Sequence, residues 1–132
     1  MTPSRLPLAF FTAAAVCGLG GMVWGAILGA TQDFTTSPAH AHLNLLGWTS
    51  LGLMGLFYAL FGERVSVKLG WVNWALSTLG VAIMIPSLGF YLVGQKAIAE
   101  TGLMVGPMLA IAGMLLFVVS VLSAWRRTPV AA

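Results

Sequence analysis

The sequence predicts an all-α integral membrane protein built as a single bundle of four transmembrane helices. Of its 132 residues, 59% are hydrophobic and only 7% are charged, and the mean hydropathy is +0.97. Because soluble domains carry about 25% charged residues, this composition places the chain in the membrane class. A spanning helix needs ~20 mainly apolar residues, so four of them with short connections use nearly the whole chain. The expected surroundings are therefore a lipid bilayer.

Four apolar segments are separated by polar connections. We predict one domain over residues 1–132, with helices at about 6–30, 39–61, 71–93 and 102–125. The first segment is interpreted as a retained helix and not as a signal peptide, because its apolar stretch is too long and lacks a polar cleavage region. Pro86 lies inside the third segment and predicts a kink, since proline removes a backbone donor and clashes with the preceding turn.

The basic residues are divided unevenly between the two ends of the predicted helices. One end carries Arg5, Arg64, Lys68, Arg126 and Arg127, whereas the other carries only Lys96. The positive-inside rule then predicts that both termini are cytoplasmic, in a multi-pass protein of the inner (plasma) membrane. Because all six basic residues lie at segment ends, where they orient a membrane protein, the net charge of +3 does not indicate a nucleic-acid partner.

Small residues recur at four-residue intervals in two of the segments. Gly21, Gly25 and Gly29 have this spacing in the first segment, and Gly102 and Gly106 have it in the last. Such spacing lets helix backbones approach closely in lipid. It predicts tight helix packing without identifying the partner helix.

Both histidines of the chain, His40 and His42, lie at the start of the second predicted helix. Side chains two positions apart on a helix point about 200° apart, so the two imidazoles cannot easily bind one ion, although they could serve two sites. Asn44 and Gly47 share the side of His40, and Gly47 would leave room for a flat ligand against the backbone. Asp33 and Gln32, in the preceding connection, are candidates to orient an imidazole through its second nitrogen; a plain solvated loop is the alternative. The alternative interpretation is that the histidines face lipid headgroups or cap a neighbouring helix.

The run from His40 to Trp48, continuing through Gly52, Gly55 and Tyr58, resembles the heme-binding helices of the heme-copper oxidase subunit I superfamily. That superfamily includes the nitric oxide reductases. The resemblance covers about twenty residues, one helix of four. It implies that His40 and His42 ligate heme iron, and that Asn44 and Gly47 belong to the cofactor site. Since the chain has no Cys-x-x-Cys-His motif, the implied cofactor is a non-covalent heme b.

The same resemblance implies an assembly. The superfamily fold has twelve helices in three equivalent arcs of four, and this chain resembles one arc. Three copies would rebuild the ring as a homotrimer, and closed symmetry is what oligomers favour. Each interface would then hold one heme between His40 of one chain and His42 of the next, with a redox, electron-transfer or gas-binding role.

The chain lacks several residues that the superfamily's oxygen or nitric oxide chemistry requires. The superfamily's copper site needs three histidines from other helices, whereas this chain has two in total, and Asn44 replaces the tyrosine that follows a copper-ligating histidine by four residues. No Asp, Glu or Lys lies inside a predicted span, so no proton path is visible. Reduction of oxygen or nitric oxide is therefore not expected, no catalytic residue is assigned, and enzymatic activity stays open. Two other functions remain alternatives: a cofactor-free structural or assembly protein, and a copper-handling membrane protein.

Overall fold

Four long helices make up nearly all of the computed structural model, which describes residues 5–128. The helices are α1 (Leu6–Thr31), α2 (Ser37–Arg64), α3 (Val67–Leu92) and α4 (Lys96–Arg126). Each of them is long and apolar enough to cross a membrane. The predicted fold class, an all-α bundle with four membrane-spanning helices, is confirmed to this extent.

Three of the helices begin earlier than the sequence predicts. Helix α2 begins at Ser37, α3 at Val67 and α4 at Lys96, which shortens every connection. For α4 the reason is that an apolar run marks only the part of a helix suited to hydrocarbon, whereas Lys96 and Glu100 are good helix formers and extend the helix into the interface. Helix α3 runs through Pro86 without a break, and Gly94, with φ of 87°, ends the turn that follows it.

Helices α3 and α4 pack most closely, through small residues on both. A methyl group added at Gly106 would lie 2.7 Å from the backbone nitrogen of Met84, and one added at Gly80 would lie 2.6 Å from the backbone nitrogen of Ala110. The close approach predicted from the spacing of Gly102 and Gly106 is thus present, and the partner is α3 of the same chain.

A core at one end of the bundle joins α1, α2 and α4. Phe10 and Tyr58 stack at 5.3 Å between ring centroids, and Leu6, Leu51 and Ala124 are buried in the same cluster. Outside this core the helices present large apolar side chains, with Met22 and Trp125 each more than 70% exposed. Such a surface suits hydrocarbon, in which only structures that satisfy their own backbone hydrogen bonds are stable.

The ends of α2 and α4 meet at one end of the bundle. The Arg64 Nη1 donates to Thr128 Oγ1 at 2.7 Å, and Arg127 Nη1 donates to the Arg64 carbonyl at 3.3 Å. Lys96 lies at the opposite end, where its Nζ is 5.6 Å from the Tyr91 ring centroid. Arg64 and Arg127 therefore lie at one end of the bundle and Lys96 at the other, as the sequence predicts. With Arg5, Lys68 and Arg126 added, the count of basic residues at the two ends is five against one.

Candidate histidine site

The histidines lie directly before an irregular part of α2. The segment Ser37–His42 is α-helical, Leu43–Ser50 is π-helical, and Leu51–Phe61 is α-helical again. The Ser50 hydroxyl donates to the Leu45 carbonyl, five residues earlier, at 2.8 Å. Helical segments with this wider turn are rare and occur frequently at functional sites. The sequence analysis did not predict it, because π-helical turns have no dependable residue signature.

The π-helical segment keeps one row of side chains directed at α1. Residues at four-residue intervals on an α-helix drift by about 40° per step. A π-helix has more residues per turn than an α-helix, so each residue rotates by a smaller angle about the axis and the drift is offset. His40, Asn44 and Trp48 have this spacing, and all three contact α1. The start of the helix is also tied to α1, because Trp24 Nε1 donates to Thr36 Oγ1 at 3.0 Å.

The glycines of α1 lie opposite His40, Asn44 and Trp48 and leave space for their side chains. A methyl group added at Gly25 would lie 2.9 Å from His40 Cε1, and one added at Gly18 would lie 2.9 Å from Trp48 Cε3. The Asn44 amide packs against Gly21 in the same way. The spacing of Gly21 and Gly25 therefore does allow close packing, as predicted, and the partner is α2 of the same chain. A methyl group added at Gly29, which continues the pattern, would have no neighbour within 4 Å.

His40 is half-buried at the seam between α1 and α2. The Asn44 Nδ2 lies 3.3 Å from its Nδ1 and 3.4 Å from its Nε2, and it donates to the His40 carbonyl at 3.0 Å. The carbonyl bond fixes the orientation of the amide, because only the nitrogen of the amide donates. Since that nitrogen is almost equally far from both ring nitrogens, it holds the ring in place without selecting one tautomer.

His42 is exposed, and its ring is fixed by its own helix. The Nδ1 lies 2.8 Å from the Pro38 carbonyl oxygen. Because a carbonyl only accepts hydrogen bonds, Nδ1 carries the hydrogen, and in the neutral imidazole Nε2 then has the lone pair. Histidines that bind a metal through one nitrogen usually donate the other N–H to a carbonyl or carboxylate in this manner. His42 is therefore held in a form suited to ligation through Nε2.

The two imidazoles do not converge within one chain. His40 faces Gly25 of α1, whereas His42 is on the exposed side of α2, so the predicted opposite directions are confirmed. Among residues 5–128 there is no group of three or more His, Cys, Asp or Glu placed to hold a metal ion. Any iron or copper bound by one of these histidines would need its remaining ligands from elsewhere.

The space beside Gly47 is filled by a side chain of α1. Gly47 is buried, and a methyl group added there would lie 2.7 Å from Cys17 Cβ and 2.8 Å from Cys17 Sγ. A flat ligand could reach this backbone only if Cys17 moved away. A contribution of Gly47 to a cofactor site stays a prediction under that condition.

Asp33 does not orient an imidazole, so that expectation is wrong. Its carboxylate accepts from the Thr35 hydroxyl at 2.6 Å and from the Thr35 backbone N–H at 3.0 Å. These hydrogen bonds, the hydroxyl bond first, lower the pKa of the Asp33 carboxyl below its ordinary value. The short polar loop satisfies its own acceptors, and the groups that orient the histidines are Pro38 and Asn44 instead.

Comparison with known proteins does not assign this geometry. No protein-family model, curated protein or solved structure matches the chain. The resemblance of the His40–Trp48 run to heme-binding helices is therefore an argument from those residues alone, and the chemistry of the two imidazoles has to support any function.

A second group of polar residues, missed by the sequence analysis, lies buried between α2, α3 and α4. Asn73 Nδ2 donates to the Tyr58 hydroxyl at 2.9 Å, Tyr58 and Ser120 share a hydrogen bond of 2.9 Å, and Ser77 Oγ donates to Asn73 Oδ1 at 3.0 Å. Asn73 and Ser120 are completely buried. The available signal was the pair Asn73 and Ser77, four residues apart in a mainly apolar segment. Because its members bond to one another, we interpret the cluster as holding the three helices together.

Proposed function

We propose that this protein binds heme b through His40 and His42 in the inner (plasma) membrane, and that it has a redox, electron-transfer or gas-binding role. The observation that supports this most directly is the state of His42. Its Nδ1 is engaged by the Pro38 carbonyl at 2.8 Å, and its ring is exposed on an apolar helix. Polar, titratable groups at such positions are rare in membrane proteins and mark function. A free Nε2 of fixed tautomer is the group that heme iron takes from histidine.

The proposed heme is shared between chains. A bis-imidazole heme needs one nitrogen on each face of the porphyrin, and the two histidines of one α2 point in opposite directions. His42 of one copy and His40 of the next supply one nitrogen each. His40 can do so only after its ring turns out of the seam between α1 and α2, where it packs against Gly25 and lies 3.3 and 3.4 Å, by its two nitrogens, from the Asn44 amide nitrogen. Three copies close such a ring of interfaces as a homotrimer. The five-to-one distribution of basic residues supports the orientation with both termini in the cytoplasm.

The absorption spectrum of the purified protein tests the proposal. Protein from heme-replete cells should show a Soret band and, after reduction, the sharp α and β bands of low-spin bis-histidine heme. His40→Ala and His42→Ala should each abolish this spectrum. Leu60→Ala is the control, because Leu60 is 67% exposed near the opposite end of the same helix; its spectrum should be unchanged.

Co-expression of the two single variants tests sharing. Some interfaces would pair an intact His40 with an intact His42, so part of the low-spin spectrum should return. If one single variant keeps the wild-type spectrum, the shared site is wrong. A colourless wild-type preparation contradicts heme binding altogether. Copper found in that colourless protein would favour the copper-handling alternative, and its absence would favour the structural one.

A further inference from the structure

Five basic residues lie at one end of the bundle, and a shared apolar core brings their chain segments together. The core contains three buried residues from separate segments, Leu6, Val65 and Ala124. Arg5 directly precedes the first of them, Arg64 directly precedes the second, and Arg127 follows the third within one helical turn. The side chains of Arg5 and Arg127 are exposed, and that of Arg64 is half-buried. Folding therefore places three arginines that are far apart in the sequence around one small core.

Arg64 and Arg127 are adjacent in space, and their hydrogen bonds go to uncharged oxygens. Arg127 Nη1 donates to the Arg64 backbone carbonyl at 3.3 Å, and Arg64 Nη1 donates to Thr128 Oγ1 at 2.7 Å. Within the described range 5–128, no Asp or Glu forms an ion pair with either arginine. Each guanidinium carries five N–H donors, so these bonds leave most of the donors available to an acceptor from outside the protein.

The rest of this end of the bundle adds positive charge instead of compensating it. Of the three acidic residues in the sequence, Glu63 lies at this end, whereas Asp33 and Glu100 lie at the other. Arg5 caps the start of α1, and Lys68 lies in the first turn of α3, where the positive end of the helix dipole disfavours a cation. Neither helix has an acidic residue in its first turn. The negative ends of the α2 and α4 dipoles offset only about half a charge each, so an external anion would be stabilised here.

The position of the arginines along the membrane normal indicates which anion they meet. Helix α2 has 28 residues and α4 has 31, so they are about 42 and 46 Å long, close to the ~40–45 Å thickness of a bilayer with its headgroups. With the helices centred, Arg64 and Arg127 lie about 21–23 Å from the midplane, at the level of the headgroups. Trp125, next to them on the hydrocarbon side, is 74% exposed, as is typical of interfacial tryptophans. The anions present at this depth are lipid phosphates.

We propose that Arg64 and Arg127 bind the phosphate of a phospholipid whose headgroup has a net negative charge. Phosphate oxygens accept paired hydrogen bonds from guanidinium groups. A zwitterionic lipid offers the same phosphate, but its cationic group would be repelled by Arg5 and Lys68, so the surrounding charge favours an anionic lipid. The site lies at the end of the bundle opposite the histidines, and it stands or fails separately from heme binding.

Binding of phosphatidylglycerol to the full-length, detergent-purified protein tests the site, with phosphatidylcholine of the same acyl chains for comparison. Wild-type protein should bind phosphatidylglycerol saturably and gain thermal stability, since a ligand of the native state stabilises it. Added salt should weaken this binding. Arg64→Gln should weaken it about fivefold, and Arg64→Gln combined with Arg127→Gln about 25-fold, the effect of one and of two basic residues near anionic lipid.

Two control variants separate the site from general charge and from folding. Lys96→Gln also removes one positive charge, but at the opposite end of the bundle, and should bind phosphatidylglycerol as wild type does. Thr128→Val removes the hydrogen bond of the Arg64 side chain while keeping its charge, and it should not weaken binding.

Several results would overturn the proposal. One is equal affinity of wild-type protein for phosphatidylglycerol and phosphatidylcholine. Another is equal affinity in Arg64→Gln and Lys96→Gln, which decides the matter even if the double variant does not fold. A loss in Thr128→Val as large as that in Arg64→Gln would show that Arg64 has a structural role instead. Displacement of the lipid by inorganic phosphate at the same concentration would show that the arginines bind a free anion and not a lipid.

Discussion

At the scale of single residues, backbone contacts determine what the polar side chains of this protein do. His42 and Asp33 lie on either side of the start of α2, and each is engaged within four residues of its own position. For His42 the hydrogen bond engages Nδ1 alone, whereas for Asp33 both bonds from Thr35 go to Oδ1. The first residue is therefore available to a ligand, and the second stabilises the loop that leads to it.

The pH dependence of the Thr31–Ser37 loop should follow Asp33. Its pKa is lowered in the native state by the Thr35 hydroxyl and backbone N–H, so the stabilisation is present above the unfolded-state value, about 3.9. It is lost as the pH falls through the lower native-state value. Carboxyl chemical shifts measured against pH should show the lowered pKa, and Thr35→Val should raise it toward the ordinary value. Thr35→Ser keeps the hydroxyl and should retain the lowered pKa; an ordinary value in wild-type protein would contradict this account.

At the scale of helices, contact between α1 and α2 depends on a few glycines that meet particular side chains. The π-helical turn and the glycine row act together, because one aims His40, Asn44 and Trp48 at α1 and the other gives them space. The histidine environment is thus produced by two helices and not by the histidine motif alone.

Gly25→Leu should destabilise the protein by about 1–3 kcal/mol, the usual result of forcing extra volume into a packed contact. The added side chain would meet His40, whose Cε1 lies 2.9 Å from the first added carbon. Gly29→Leu is the control on the same helix, since a methyl group added at Gly29 would have no neighbour within 4 Å. Thermal unfolding in detergent measures both. Equal melting temperatures for the two variants would show that α1 and α2 are not packed as described.

Tyr58→Phe should destabilise the bundle more than the same substitution at Tyr91. Removal of the Tyr58 hydroxyl leaves Asn73 Nδ2 and Ser120 Oγ, both buried, without that partner. Hydrogen bonds between membrane helices contribute about 0.6 kcal/mol on average and up to about 1.7 kcal/mol, so a loss of roughly 1–2 kcal/mol is expected for two. Tyr91 is 44% exposed, and its hydroxyl should matter little. Unfolding titrations of both variants measure this difference. Equal free energies of unfolding for Tyr58→Phe and Tyr91→Phe would contradict the role given to the Tyr58 hydroxyl.

At the scale of the whole molecule, hydrogen bonds at the helix ends bring most of the basic residues together. The Arg64 side chain bonds to Thr128 and the Arg127 side chain bonds to the Arg64 carbonyl, so the α2–α3 connection and the end of α4 share one end of the bundle. The histidines lie at the start of α2, at the other end. If the basic end is cytoplasmic, a heme at His40 and His42 would be near the outer surface.

A reporter fused after Ala132 should therefore be active in the cytoplasm, and one inserted in the Thr31–Ser37 loop should be active outside. The physical reason is the preference of short Lys- and Arg-rich ends for the cytoplasmic side. Arg126→Gln combined with Arg127→Gln reduces the asymmetry from five against one to three against one and should retain the topology. Periplasmic activity of the C-terminal reporter in wild-type protein would place the histidines at the cytoplasmic face and refute the orientation.

The sequence by itself determined the number of helices, their approximate positions and the opposite directions of the two imidazoles. These properties depend on consecutive residues: a helix in lipid satisfies its own backbone hydrogen bonds, and the angle between two side chains of one turn follows from helix geometry. Hydropathy along the chain and residue spacing were sufficient for them. They were not sufficient to predict that α4 begins at Lys96, because the first turns of this helix contain polar residues and lie outside the apolar run.

Only the tertiary structure decided which residues meet. It placed His40 against Gly25 and left open space where Gly29 would carry a side chain. It also filled the space at Gly47 with Cys17 and joined Tyr58 to Asn73 and Ser120. These are distances between segments far apart in the chain, and helices that are apolar on every side carry little periodic signal of which face turns inward. The π-helical turn adds to the difficulty, since it changes the direction of every later side chain without any mark in the residues themselves.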